Sequence, residues 1–173
     1  MVFNLFLSRR LLKKKLKGIK LVVTDVDGVL TNGEIGYSAE LNGLKLFNVK
    51  DGLAVKLLQT NGIELAFISG GDSEATQKRA KTLLIDECHT NIEKKSRTLK
   101  DIQKRLSIST ESTLYIGDDI NDLDVLPYVS LFVVPKDCNS YVKRIADIKL
   151  RTNGGKGVLR EVCDMVLHAK EKN

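Results

Sequence analysis

Two aspartates one residue apart, Asp25 and Asp27, stand in the stretch VVTDVDGVLTNG, where an apolar run gives way to small, turn-prone residues. Like charges at that spacing repel, and burial raises the cost of keeping both ionised. Three further carboxylates, Asp118, Asp119 and Asp122, are packed into GDDIND. A cluster of all five is too negative to stand alone. A hard divalent cation resolves it, Mg²⁺ by preference, because that ion takes carboxylate and carbonyl oxygens and keeps waters for a phosphate. Asp25 can then attack phosphorus as a nucleophile, giving an aspartyl-phosphate. Asp27 can protonate the leaving alkoxide and later take a proton from the attacking water.

Phosphoryl transfer also needs donors for the equatorial oxygens. Ser69, in ISGGDS, offers a hydroxyl and neighbouring backbone N–H groups near a helix start. Lys95, after NIEK, can supply positive charge, with Lys94 as the competing choice. Each piece taken singly has a bland reading: DxD and GDD occur in ordinary turns, Ser69 could cap a helix, and a lone lysine near a helix start is usually solvated. The specificity lies in the order: strand then DxDG, strand then Ser, a Lys, strand then GDDxxD.

The elements that must position these residues are legible as periodicity. Apolar strand-like runs recur at 21–24, 63–68, 113–116 and 131–134. Helix-period segments fall between them at about 52–59, 73–83, 96–106 and 119–126, and the tail from Gly157 reads as one closing helix. Alternation of this kind predicts an α/β fold, a Rossmann-like parallel sheet covered on both faces in three layers. One insertion breaks the rhythm: between Gly33 and Asp51, two short strand-like pieces flank a turn-rich SAELNG, which predicts a small β-hairpin and leaves no segment long enough for a separate cap domain. Ligands of open α/β sheets bind beyond the carboxyl ends of the strands, where TDVDG, SGGDS and GDDIND would meet.

Composition narrows the class. The 173 residues carry 28 Lys and Arg against 22 Asp and Glu, a net charge of +6, but seven of the basic residues lie in the first 20 positions, which hold no acid. The remaining 21 basic and 22 acidic residues nearly balance, so nucleic acid is not an expected partner. No apolar run is long enough to insert across a bilayer. The basic leader has its apolar stretch before its charges and no small-residue cleavage site, which speaks against a signal peptide. It reads as a solvated or partner-contacting helix in preference to a membrane-surface anchor. Cys88, Cys138 and Cys163 show neither disulfide nor zinc spacing, and His89 and His168 stand alone.

The ordered set resembles the haloacid dehalogenase-like phosphatase superfamily: Asp25, Val26, Asp27 and Gly28 match its first motif, Ser69 its second, Lys95 its third, and Gly117, Asp118, Asp119 and Asp122 its fourth. The resemblance implies Asp25 as nucleophile, Asp27 as acid/base, and Mg²⁺ on Asp25, Asp118 and the main-chain oxygen of Asp27. A narrower resemblance covers nearly all of residues 18–170. DVDGVLTNG, FNVKDG, YIGDD and GGKGVLREVCDMVL are similar to the capless branch containing the 3-deoxy-D-manno-octulosonate 8-phosphate phosphatases, enzymes of lipopolysaccharide sugar synthesis. The charge distribution marks a basic leader helix over 1–17; the resemblance implies a single phosphatase domain over 18–173 and a homotetramer assembled through the hairpin, with a neighbouring subunit partly closing each site. It further implies a cytoplasmic location, and contacts from Asn48, Lys56 and Arg79 to a sugar acid phosphate.

One departure stands out. The octulosonate enzymes commonly carry Arg directly after the Ser/Thr-Gly pair, where this chain has Gly71. Glycine cannot offer the planar fork that Arg gives a carboxylate or phosphate. Another basic residue, such as Lys156, would substitute, or the substrate would be a nine-carbon sugar acid 9-phosphate. Two non-hydrolytic classes are disfavoured. A phosphoacceptor receiver has no need of DxDG with a late GDDxxD, and an inactive phosphatase-like domain commonly replaces the nucleophile, which is intact here.

Overall fold

Short, unbroken apolar runs set the sheet. The structure, a computed structural model, describes residues 2–36 and 44–171, with side chains from Arg9 onward. Six parallel strands, β1 (Leu21–Thr24), β2 (Glu64–Ile68), β3 (Glu87–His89), β4 (Thr113–Ile116), β5 (Leu131–Val134) and β6 (Ile148–Lys149), lie in the order β3-β2-β1-β4-β5-β6. The chain leaves β1 toward β2 on one side and returns to β4 on the other, so the crevice between the β1 and β4 ends is the switch point.

Side-chain alternation divides the core between two faces. Val22, Leu65, Phe67, Leu114, Ile116 and Val133 point to one face, beneath α1 (Val2–Gly18), α2 (Val49–Thr60) and α6 (Val158–Lys170). Leu21, Val23, Ala66, Ile68, Tyr115, Phe132 and Val134 point to the other, with Leu99 and Ile102 of α4 (Lys95–Leu106) and Val142 of α5 (Ser140–Ile145). The three-layer expectation is borne out. α3 (Glu74–Thr82) follows β2, capped by Ser73.

The differences from the periodicity have local causes. β3 reads ECH and β6 reads IK, too short and too polar to stand out from loops. α2 starts at Val49, earlier than its apolar period suggests, because the Asn48 side chain caps it by accepting from Lys50 N. The segment expected as a helix over 119–126 is a 3₁₀ run, Ile120–Tyr128, with Pro127 inside it. The insertion doubles back as expected, since Gly36 and Leu44 exchange antiparallel backbone bonds of 3.3 and 2.9 Å; its tip, 37–43, lies outside the described residues. The last turns of α1 join the body through buried Leu16 and through Lys15 Nζ, which donates to Ser130 O. Among the described residues no helix is long and apolar enough to cross a membrane.

Candidate active site

Asp25, Ser69 and Gly117 are the first residues past β1, β2 and β4, and each stays tied to the neighbouring strand by a backbone bond: Asp25 N to Ile116 O, Ser69 N to His89 O, and Gly117 N to Val133 O. The sheet thus extends its rigidity one residue into each motif. Beyond Asp25 the chain coils tightly, with Val29, Leu30 and Thr31 N–H groups all donating to Val26 O. Gly28 makes that turn at φ +84°, and a Cβ on it would overlap the Asp118 carboxylate. The resulting cleft, about 570 Å³, is lined by Asp25, Asp27, Gly28, Gly33, Gly70, Gly71, Asp118, Asp119, Ile120 and Asn121.

Lys95 is the buried counter-charge. Only 1% exposed, its Nζ lies 2.7 Å from Asp122 Oδ1 and 3.0 Å from Asp25 Oδ1, while Lys94 is exposed. Burial works against its charge, but Asp25 and Asp122 together outweigh that and hold its pKa above the ordinary value. Asp122 is spoken for on both oxygens. It accepts from Lys95 and the Tyr115 hydroxyl on Oδ1 and from Asp118 N and Asp119 N on Oδ2. Its bond to Asp119 N also closes the capping box that starts the 3₁₀ run, so the spacing of GDDxxD is a requirement of the turn.

Asp25 and Asp118 remain in tension. Burial and the nearby Asp122 push the Asp25 carboxyl up to about 6 despite Lys95. Burial, Asp25, Asp122 and Asp119 push Asp118 up to about 8. Carboxylate oxygens of Asp25, Asp118 and Asp122 come within 4.8 Å of one another. One lysine cannot neutralise three acids, and oxygen donors crowded this way fit a hard divalent cation. Because Asp122 is engaged by four donors, Asp25 and Asp118 are the carboxylates that could hold it. Asp25 takes Val26 N and Lys95 on Oδ1; among the described residues, no hydrogen bond falls on its Oδ2.

The Ser69 hydroxyl is fully buried and has no partner among the described residues. An unpaired buried hydroxyl costs free energy, about 1–3 kcal/mol, and a phosphate oxygen would satisfy it. The residues expected to touch the sugar lie elsewhere. Asn48 Nδ2 donates to Gly155 O, Arg79 Nη2 donates to Asn48 O and stacks over Phe47, and Lys56 is exposed on α2; none of the three lines the cleft.

Two residues near the carboxylates escaped the sequence reading. Tyr115 faces into the sheet layer, where a strand tyrosine reads as core, and only its hydrogen bond to Asp122 reveals its part. Lys45, on the return arm of the hairpin, bonds Asp27 Oδ2 at 2.8 Å across 18 residues of chain. Lys45 lies outside FNVKDG and the other quoted stretches, and a contact made through a hairpin leaves no spacing to find.

The family description haloacid dehalogenase-like hydrolase matches residues 88–162. The 3-deoxy-D-manno-octulosonate 8-phosphate phosphatase of Haemophilus influenzae is 39% identical over 162 residues, 94% of this chain and 90% of that one. The Escherichia coli K12 enzyme of the same name is 36% identical over 158 residues, 91% of this chain and 84% of its own. The crystal structure of the Moraxella catarrhalis phosphatase in complex with magnesium ion, phosphate ion and KDO superposes with a TM-score of 0.88 at 35% identity, covering 91% of each chain. Motif order, cleft and likeness along nearly the whole length agree: the chain belongs to the 3-deoxy-D-manno-octulosonate 8-phosphate phosphatase family of the haloacid dehalogenase-like hydrolases.

Proposed function

We propose that this protein removes phosphate from 3-deoxy-D-manno-octulosonate 8-phosphate in lipopolysaccharide sugar synthesis, with Asp25 as nucleophile and Mg²⁺ as cofactor. The observation that carries the reading is the crowding of Asp25 and Asp118 beside Lys95 and the unpaired Ser69 hydroxyl, a constellation that fits one cation and one phosphate. Asp25, Asp118 and the main-chain oxygen of Asp27 would hold Mg²⁺, which would supply positive charge against the phosphate oxygens. Ser69 and Lys95 hold two of those oxygens. Asp25 attacks phosphorus, the bond to the sugar oxygen breaks, and Asp27 gives that oxygen its proton. Water then attacks the aspartyl-phosphate, its proton passes to Asp27, and Asp25 is freed. Asp122 and Asp119 act as supports, Asp122 by fixing Lys95 and the 118–119 backbone.

The relatives at 36–39% identity are octulosonate 8-phosphate phosphatases, so the nine-carbon alternative is not favoured. The assignment of Asn48, Lys56 and Arg79 to the sugar acid rests on the family resemblance alone. Among the described residues the cleft lining carries no cation, and in this reading a neighbouring subunit supplies charge for the sugar carboxylate. A homotetramer built through the hairpin meets that need. Ile35, Leu44, Leu46, Val49 and Leu53 expose apolar surface around the hairpin base and the start of α2, as an assembly face would. In the same reading, residues 1–17 are a leader to a phosphatase domain over 18–173, and the three free thiols fit a reducing cytoplasm. Phosphate release with Mg²⁺ from octulosonate 8-phosphate, nonulosonate 9-phosphates and hexose phosphates tests the substrate. Preference for the octulosonate ester is expected; preference for a nine-carbon acid overturns it. Sedimentation at assay concentration tests the assembly, and a fully active monomer would refute it.

A further inference from the structure

The return arm of the hairpin is built against the usual solvation preference. Leu44 and Leu46 are 51% and 73% exposed, while the Lys45 side chain between them is only 4% exposed. An ammonium is turned inward where an alternating chain would ordinarily place a leucine. Burying that charge is costly unless it is paired, and its partner is Asp27 Oδ2 at 2.8 Å. Among the described residues, the other oxygen of Asp27 has only Thr31 Oγ1, at 3.5 Å, the outer limit of a hydrogen bond. Each aspartate of the DxD pair therefore has its own lysine: Lys95 on Asp25 from the floor of the cleft, Lys45 on Asp27 from the insertion.

We infer that Lys45 is a positioning residue for Asp27, fixing the acid/base carboxyl through Oδ2 so that its proton is aimed at the oxygen leaving phosphorus. The carboxyl is otherwise free to turn, being 29% exposed at the cleft edge. A positioned general acid is worth far more than a tumbling one, because misplacement by about 1 Å can cost about 10²-fold. The hairpin thereby does more than present apolar surface: it carries one of the groups that sets the geometry of the reaction. This rests on the phosphatase reading above.

Leaving-group dependence separates positioning from a merely structural role. In single turnovers with enzyme in excess and Mg²⁺ present, Lys45→Met is expected to slow phosphoryl transfer from an alkyl phosphomonoester by about 10- to 100-fold, with substrate affinity changed less than about threefold. With p-nitrophenyl phosphate, whose leaving group needs no proton, the loss should stay under about threefold, and Lys45→Arg should recover most of the alkyl rate. Equal losses on both esters, or wild-type rates on both, would overturn the inference. If Lys45→Met does not fold, Lys45→Gln, polar and neutral, makes the same comparison. A wild type inactive on octulosonate 8-phosphate but active on another alkyl phosphate would sink the substrate assignment and leave the Lys45 comparison standing.

Discussion

Replacing Lys95 by Met keeps the volume of the side chain and removes its charge from between two buried carboxylates. Breaking a buried pair by removing one partner typically costs about 3–5 kcal/mol. Here the low end is expected. Asp122 loses one donor but keeps Tyr115 Oη, Asp118 N and Asp119 N. Asp25 can escape by taking a proton, because burial already holds its carboxyl at about 6, and removal of Lys95 moves it further up. The penalty therefore depends on pH. Near pH 5 both proteins hold that proton and the deficit is small; near pH 8 the variant must either bury an unpaired carboxylate or take up a proton against the solution. We expect a deficit of about 3 kcal/mol at pH 8, roughly 6–12 °C in Tm for a domain of this size, shrinking toward pH 5. Urea unfolding with EDTA at the two pH values measures it. A deficit under about 1 kcal/mol at pH 8, or one that grows toward acid, would refute the reasoning.

Two further outcomes follow from the same geometry. Asp25 and Asp118 are raised from 3.8 to about 6 and about 8, so their contribution to metal-free stability is fully present below pH 3.8 and is lost as pH rises through 6 and 8. Metal-free protein should thus melt lower at pH 8 than at pH 5, and Mg²⁺ should raise Tm more at pH 8; a larger Mg²⁺ shift at pH 5 would contradict the assignment of these carboxylates to the ion. Gly28→Ala should lose Mg²⁺ binding and turnover by driving a methyl into Asp118, while Gly62→Ala, at φ +69° with open space around it, should cost only about 1–2 kcal/mol of backbone strain and leave activity intact. Equal effects at the two glycines, read by isothermal titration and phosphate release, would show that the clash is not what matters.

How much of this was legible in the sequence depended on whether a signal was local. β1, β4 and β5 were visible to the residue, because each is a run of four apolar or β-branched residues bounded by polar turns. β3 and β6 were not, since edge strands of three and two residues need no such run. The ordered carboxylates pointed to the cleft because DxDG and GDDxxD are fixed by the turns they make. The local pattern left Lys94 and Lys95 open; only packing shows that one is exposed and the other reaches Asp25 and Asp122. Lys45 and Tyr115 were hidden for the same physical reason, that each meets the site through tertiary folding. Asn48 and Arg79 also brace α2 against the 154–157 loop and α3, contacts between distant segments that no local spacing announces.

In the proposed mechanism Asp25 accepts the phosphoryl group. Wild-type protein quenched in acid during turnover of phosphorus-labelled octulosonate 8-phosphate with Mg²⁺, then digested and mapped, should carry hydroxylamine-labile label on the peptide containing Asp25. Asp25→Asn should carry none and release no phosphate while keeping its fold. Label on another residue, or near-normal phosphate release from the folded Asp25→Asn protein, would contradict it.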